Sequence, residues 1–299
     1  MSAPKASRTF IAVMLALTAI LGFDMMGVMV RLLSERGYSP SELSAYRNVL
    51  GILPSVLVLA WMGELRLSGG AMKVTRWKLA LFRGLTVAVA QLCFYTALTL
   101  LELATVSALA QTNALFVVLL SVFLLKERVG PWRIFALILG FVGALWVMRP
   151  GSDSFSPAAV LPILAAFFYG FSILSVRMFD KGVSNALLYL YASAASAGGA
   201  ILLALATTGF SPLGQPIEIL MIFFMSMAGG TAVLLLMLAY RMAPPSLLAP
   251  FSYLSILSAF TLGWVIFGEA PIDTLFPGVL LIIGAGGVII WRENFVSTR

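Results

Sequence analysis

Two stretches of the chain read alike. Phe94–Arg149 passes through Leu125-Lys126-Glu127-Arg128 and Gly140-Phe141-Val142-Gly143; Leu236–Arg292 passes through Phe267-Gly268-Glu269-Ala270 and Gly286-Gly287. Setting Glu127 against Glu269 gives a constant offset of 142, which pairs Ala97 with Ala239 and Gln111 with Tyr253. One inserted residue then brings Gly143 onto Gly286 and Arg149 onto Arg292. Each stretch closes a set of five apolar segments. An odd number of spans per half inverts the second half in a bilayer, and inverted repeats of this kind build alternating-access transporters.

Composition sets the class independently. The 299 residues are 61% hydrophobic and 10% charged, with a mean hydropathy of +1.03, which excludes an ordinary soluble domain. A bilayer core takes about 20 apolar residues per helix. Ten such stretches are present: 10–32, 42–61, 78–99, 103–124 and 131–149, then 157–177, 184–207, 217–239, 245–267 and 274–291. Backbone groups in lipid must be satisfied internally, so the stretches are helices. The expected fold is all-α, with ten transmembrane helices as two inverted five-helix repeats. The repeats occupy residues 1–149 and 157–299, joined by a turn-rich outer linker at 150–156. The first span is too long for the apolar region of a signal peptide and carries Asp24 and Arg31, so no cleaved signal is expected.

Basic residues orient the bundle. With the N-terminus inside, 14 of the 19 Lys and Arg fall in cytoplasmic segments and three in outer ones, Arg31, Arg36 and Arg149. That bias places both termini in the cytoplasm of a bacterial inner membrane. It also accounts for the net charge of +7 as topology signals spread over short loops, so no nucleic-acid surface is expected. Cys93 is the only cysteine and there is no histidine, which excludes a disulfide framework and the commonest metal ligand. No cofactor or metal is expected, and no nucleotide-binding loop is present. Trp61, Trp77, Trp132, Trp146 and Trp291 fall near span ends, where they would meet lipid headgroups.

Several features together resemble the drug/metabolite transporter superfamily, specifically its ten-helix exporters with two EamA-type repeats. They are Ala97…Ala104…Ser107, the Leu125–Arg128 break, Gly140-Phe141-Val142-Gly143, the ending Arg149-Pro150-Gly151, and Arg31…Pro40-Ser41-Glu42-Leu43…Arg47. Within it the chain is similar to bacterial exporters of amino acids, aromatic ones above all. The resemblance implies a central cavity lined by the first, third, fourth, sixth, eighth and ninth spans.

Intramembrane polar residues are the candidates for a site, because burying them unpaired is costly. Asp24 lies roughly 12 Å deep in the first span and Arg47 roughly 9 Å deep in the second. Similar depth on sequential helices makes an Asp24–Arg47 pair a candidate for gating or coupling, and Asp24 is the carboxylate through which protons would couple. Their counterparts in the second half are Gly170 and a position near Ala192, so that half lacks the pair. Gln91 and Tyr95 share a face of the third span at four-residue spacing. Gln111 and Tyr253 are repeat equivalents that would face a shared space, with Pro250 bending the ninth span. Phe168 and Met225 would give aromatic and adaptable walls. The every-third-residue series Ser252, Ser255, Ser258 reads as close helix packing. Glu127 and Glu269, symmetric in the repeat, read as caps of the helices that follow them.

The expected function is export of a small organic solute, a neutral or aromatic amino acid first, by alternating access. The chain would be no enzyme; its partners would be this substrate, membrane lipids and protons, and the sequence leaves its oligomeric state open. An alternative keeps the fold and moves a nucleotide-like metabolite such as S-adenosylmethionine inward. Channel and intramembrane-enzyme readings lack a filter and an activated nucleophile respectively.

Overall fold

The computed structural model describes residues 5–61, 76–126, 131–148, 156–175, 178–179, 185–243, 248 and 251–297. These form helices and, among the described residues, no strand. They are α1 (Lys5–Glu35), α2 (Pro40–Leu50), α3 (Leu53–Trp61), α4 (Trp77–Leu100), α5 (Leu103–Ala110), α6 (Asn113–Leu125) and α7 (Pro131–Met148). The second half has α8 (Val160–Ser175), α9 (Asn185–Thr207), α10 (Pro216–Met242), α11 (Leu254–Leu262) and α12 (Gly278–Ser297). Six stretches are long and apolar enough to cross a membrane: Phe10–Glu35, Trp77–Leu100, Leu103–Leu124, Pro157–Ser175, Leu187–Thr207 and Pro216–Ala239. Ile134–Met148, Leu254–Phe267 and Gly278–Val288 are shorter apolar helices. Large apolar side chains such as Phe123, Leu202 and Val265 stand about 70% exposed on the flanks, a surface that lipid covers and water would not tolerate. Trp77, Trp132, Trp146 and Trp264 are exposed among them.

Three expected spans are interrupted. In the second, α2 stops at Leu50, where Pro54 in the first turn of α3 removes a backbone donor and restarts the helix. In the fourth, α5 ends at Ala110 and α6 begins at Asn113. No Pro or Gly causes that break. Instead the Thr112 hydroxyl bonds the Leu109 carbonyl at 2.6 Å, and the Leu115 N–H reaches only to Thr112. A side chain competing for backbone acceptors in this way locally loosens a helix. In the ninth, α11 begins after Tyr253, the residue 142 positions beyond Gln111. Pro250, expected to bend this span, lies outside the described residues, as do Glu127 and Arg149. The repeat shows again where these spans finish. Lys126 and Gly268, also 142 apart, both take the left-handed conformation, at φ 53° and 71°. A left-handed residue closes a helix by satisfying its last carbonyls.

One apolar core joins α1, α4, α5, α10 and α11 through Val28, Leu33, Tyr95, Leu98, Leu103 and Met225. A second joins α5, α7, α11 and α12 through Leu109, Val147, Ile256 and Ile282. Lipid supplies no hydrophobic drive for helices to associate, so small residues that admit close contact matter more. α7 and α12, the last helices of the two halves, meet at Gly143 and Gly278. A Cβ on Gly143 would lie 2.8 Å from the Gly278 carbonyl oxygen, backbone that cannot yield. We expect Gly143→Leu to lower the thermal midpoint of detergent-purified protein by several degrees, in line with about 1–3 kcal/mol for overpacking. Gly198→Ala, where an added Cβ meets nothing within 4 Å, should leave it within a degree or so.

Candidate transport site

Among the described residues three charged side chains are buried, Asp24, Glu42 and Arg47; Glu42 serves the start of α2, and the other two each sit in their own polar setting. Asp24 is 8% exposed and faces a seam between α1, α5 and α11. The Ser255 hydroxyl donates to its Oδ1 at 2.9 Å, and the Ser258 hydroxyl donates to its Oδ2. Ser107 of α5 stands 3.0 Å from Ser255, and Gln111 Nε2 donates to the Ser252 carbonyl at 3.0 Å. Both halves therefore contribute to this seam, exactly where two of the interrupted spans lie.

Arg47, 5% exposed, faces the other way. Its Nη1 donates to Asn48 Oδ1 at 3.0 Å and its Nη2 to the Gly229 carbonyl of α10 at 3.4 Å. Gly229 leaves room opposite: a Cβ there would come within 3.1 Å of Arg47 Nε and 2.5 Å of Met26 Sδ, so those side chains would have to shift. Arg47 Nε and Tyr189 Oη are buried and make no hydrogen bond of good geometry, although the two side chains lie within reach of each other. Tyr95, Tyr169 and Tyr189, from α4, α8 and α9, stand close enough to interact with the guanidinium charge. Behind them Gln91 is enclosed by Ser44, Asn48 and Ser196 at 2.5–3.4 Å, which ties α4 to α2 and α9.

The expected Asp24–Arg47 pair is not formed. Met26, two residues beyond Asp24 and so on the opposite face of α1, lies beside Gly229 and Arg47, and it accepts the Tyr95 hydroxyl at 3.5 Å. The body of α1 thus separates the two charges. Among the other expected residues, Tyr95 and Met225 share the core next to Arg47. Gln111 and Tyr253 belong to the seam between α5 and α11, with the Tyr253 ring packed against Gly286. Phe168 lies elsewhere, in an edge-to-face run with Phe167 and Phe116. The serine series, read as packing, supplies two of the three residues bound to or backing Asp24. Tyr189 and Asn48 carried no signal of their own beyond a polar residue within an apolar stretch.

At the end of the bundle where α1 finishes, polar contacts join the two halves. Arg31 donates to Glu269 through both terminal nitrogens, Nη1 at 2.8 Å, and stacks 4.4 Å from the Phe267 ring centre. Glu269 also accepts the N–H of Leu103 at 3.3 Å. The residue does cap a helix, but it is α5 of the first half rather than the helix that follows it. Beside it, burial and the Glu269 carboxylate hold the Glu102 pKa above its ordinary value. A second clasp is reciprocal. Glu42 closes the capping box of α2 and accepts from Ser211 ahead of α10; Glu218 closes the capping box of α10 and accepts from Tyr38 ahead of α2 at 3.0 Å. Two capping acids thereby serve two helices each.

This arrangement has counterparts. Residues 10–149 match the EamA-like transporter family. A riboflavin transporter of Brucella anthropi is 30% identical over 260 residues, covering 82% of this chain and 91% of that protein. The chain belongs to the EamA-like transporter family. An S-adenosylmethionine uptake transporter of Rickettsia felis is 24% identical, over 76% of each chain. A solved structure described only as a protein crystal structure superposes with a TM-score of 0.65 at 20% identity, covering 93% of this chain and 96% of that one; at that identity it shows the fold alone. The EamA-like chain is thus a multi-pass membrane transporter. Its expected specificity for amino acids finds no support in these relatives, whose names are those of riboflavin and S-adenosylmethionine carriers.

If the Arg31–Glu269 clasp holds this end closed, Arg31→Ala should open it. With Cys93 replaced by Ser and a single cysteine introduced at the buried Thr105, we expect maleimide labelling to quicken about 3- to 10-fold in Arg31→Ala, the equivalent of roughly 1 kcal/mol. An unchanged rate would assign the closure to the Glu42 and Glu218 clasp.

Proposed function

We propose that this EamA-like transporter carries a flavin- or nucleoside-sized heterocyclic metabolite, riboflavin first, into the cell by alternating access. In this reading ten spans form two inverted halves with both termini cytoplasmic, and the clasped end faces outward. Arg47 among Tyr95, Tyr169 and Tyr189 is the observation that carries the substrate class. A guanidinium presents fixed, planar donors, and tyrosine rings offer apolar faces with polar tips. A planar ring system edged with carbonyl oxygens suits both. Arg47 Nε and the Tyr189 hydroxyl, neighbours without a well-formed bond, supply donors that such a ligand would satisfy better. The 30% identity over most of a riboflavin transporter supports the same class.

Transport would proceed by rocking of the halves about this site, with the interrupted α2–α3, α5–α6 and α11 spans as the places where backbone bends. The clasp of Arg31 and Glu269 closes the outer path while the cytoplasmic end exchanges solute. A second reading is S-adenosylmethionine, whose carboxylate would meet Arg47 as a counter-ion; a relative of that name supports it.

Proteoliposomes carrying the purified chain would be given labelled riboflavin, S-adenosylmethionine and phenylalanine in turn. Saturable riboflavin flux, accelerated by riboflavin on the far side, is expected. Arg47→Gln should raise its KM about 10- to 100-fold, the worth of a hydrogen bond to a charged group. Tyr189→Phe should raise KM about 3- to 10-fold with little change in kcat. Flux of S-adenosylmethionine alone would move the assignment to the second reading, and flux of phenylalanine alone would overturn both.

A further inference from the structure

The seam around Asp24 is built of oxygen. Its carboxylate takes hydroxyl donors from Ser255 and Ser258, and Ser107 backs Ser255 from the first half. Nothing cationic answers the charge, since the ion pairs among the described residues all involve Arg31, and Arg47 is turned to Gly229. A carboxylate at this depth is costly without a counter-charge. Hydroxyl hydrogen bonds offset part of that cost and leave the net charge in place.

The position adds a second, independent observation. The seam lies between the end of α5 at Gln111 and the start of α11 after Tyr253, the two repeat-equivalent interruptions, and Gln111 bonds the Ser252 carbonyl across it. Secondary transporters place coupling ions at repeat interfaces beside such unwound backbone. A serine hydroxyl is both donor and acceptor. Ser255 and Ser258 can therefore turn from donating toward Asp24 to offering a lone pair, and Ser107 can offer one beside Ser255, which makes a hard, all-oxygen ligand set with one negative charge. A monovalent cation would balance that charge; a divalent one would leave an excess.

We propose that Asp24, Ser107, Ser255 and Ser258 form a binding site for a small monovalent cation, sodium ion or proton, that bridges α1 and α5 of the first half to α11 of the second. The proposal rests on the carrier reading above and is independent of its substrate. No titratable side chain of α5 or α11 enters the seam. Tyr253, heading α11, packs on Gly286; Tyr95 on α4 bonds Met26 on the far face of α1; Cys93 and Arg83 of α4 and Glu218 of α10 lie elsewhere, Arg83 bonded to the Ser172 and Leu188 carbonyls and Glu218 to Tyr38. Asp24 is the group on which a proton would land.

The test uses the purified full chain in detergent, without substrate. Its thermal midpoint is followed at pH 8 as sodium chloride replaces choline chloride at constant ionic strength, and then from pH 8 to pH 5 without sodium. A sodium site raises the midpoint saturably by about 3 °C; Asp24→Asn abolishes the response and Ser258→Ala raises the half-saturating sodium about fivefold or more. A proton site shows no sodium response, but a midpoint that rises on acidification in the wild type and stays flat in Asp24→Asn. Responses to sodium and pH that Asp24→Asn shares with the wild type, or a wild type indifferent to both, overturn the proposal. Should Asp24→Asn fail to fold, Ser255→Ala and Ser258→Ala carry the same comparison. Because no solute is transported in the experiment, a failure of the riboflavin assignment leaves its outcome untouched.

Discussion

A charge inside a bilayer must be answered, and Asp24 and Arg47, both buried in this bundle, are answered by neutral groups. Asp24 has hydroxyls and Arg47 an amide, a carbonyl and surrounding tyrosines. Had they paired with each other, the energetic problem would be solved within the protein and nothing would be left for a ligand to do. Breaking such a buried pair costs several kcal/mol because it strands both partners, so a carrier built on one would hold its first two spans rigidly together. Placing the charges on opposite sides of α1 leaves each with neutral partners only.

The ends of the bundle obey a different rule. Closure there uses groups partly reached by solvent, with Arg31 and Glu269 at 18% and 16% exposure. Such pairs are worth little individually and their loss is tolerable. Glu42 and Glu218 economise further, since each satisfies the backbone donors at its own helix start and also holds the loop ahead of the other helix. Shared contacts at the rim and charges met only by neutral groups in the middle suit a cycle of opening and closing: the rim must release at modest cost, and the centre must change with occupancy.

The fold was legible because its signals are local or periodic. Apolar stretches of about 20 residues mark spans, and the 142-residue offset that aligns Glu127 with Glu269 reappears as paired helix ends at Lys126 and Gly268 and paired interruptions at Gln111 and Tyr253. The break after Gln111 itself was not legible, because it comes from a threonine hydroxyl and not from a proline or glycine. The site was legible only as a list of polar residues. Which residue meets which is decided by packing of helices more than 200 positions apart, as between Asp24 and Ser255. Similar depth suggested Arg47 as the partner of Asp24, yet depth says nothing of the direction a side chain leaves its helix. The serine series was visible as a stripe, and a stripe of small residues serves packing and hydrogen bonding equally well.

The repeat explains where function settles. Gly170 stands where Asp24 would be, and a Cβ there would meet Phe116 at 3.3 Å; Ala192, near the counterpart of Arg47, presses its carbonyl against Gly84. In the second half these positions do nothing but let helices approach closely. In the first half the same positions hold charge. Symmetric positions thus carry the scaffold, in the helix ends and interruptions that recur at constant offset, and its departures place the buried charges. Glu269 fits the same division: its repeat partner Glu127 follows a lysine in the sequence, while Glu269 follows a glycine and reaches Arg31 and the start of α5 in the other half. Two inverted halves that were identical would bind and close alike from either side. It is the unequal residues that place the Arg31–Glu269 pair at one end and the buried charges of Asp24 and Arg47 in the first half.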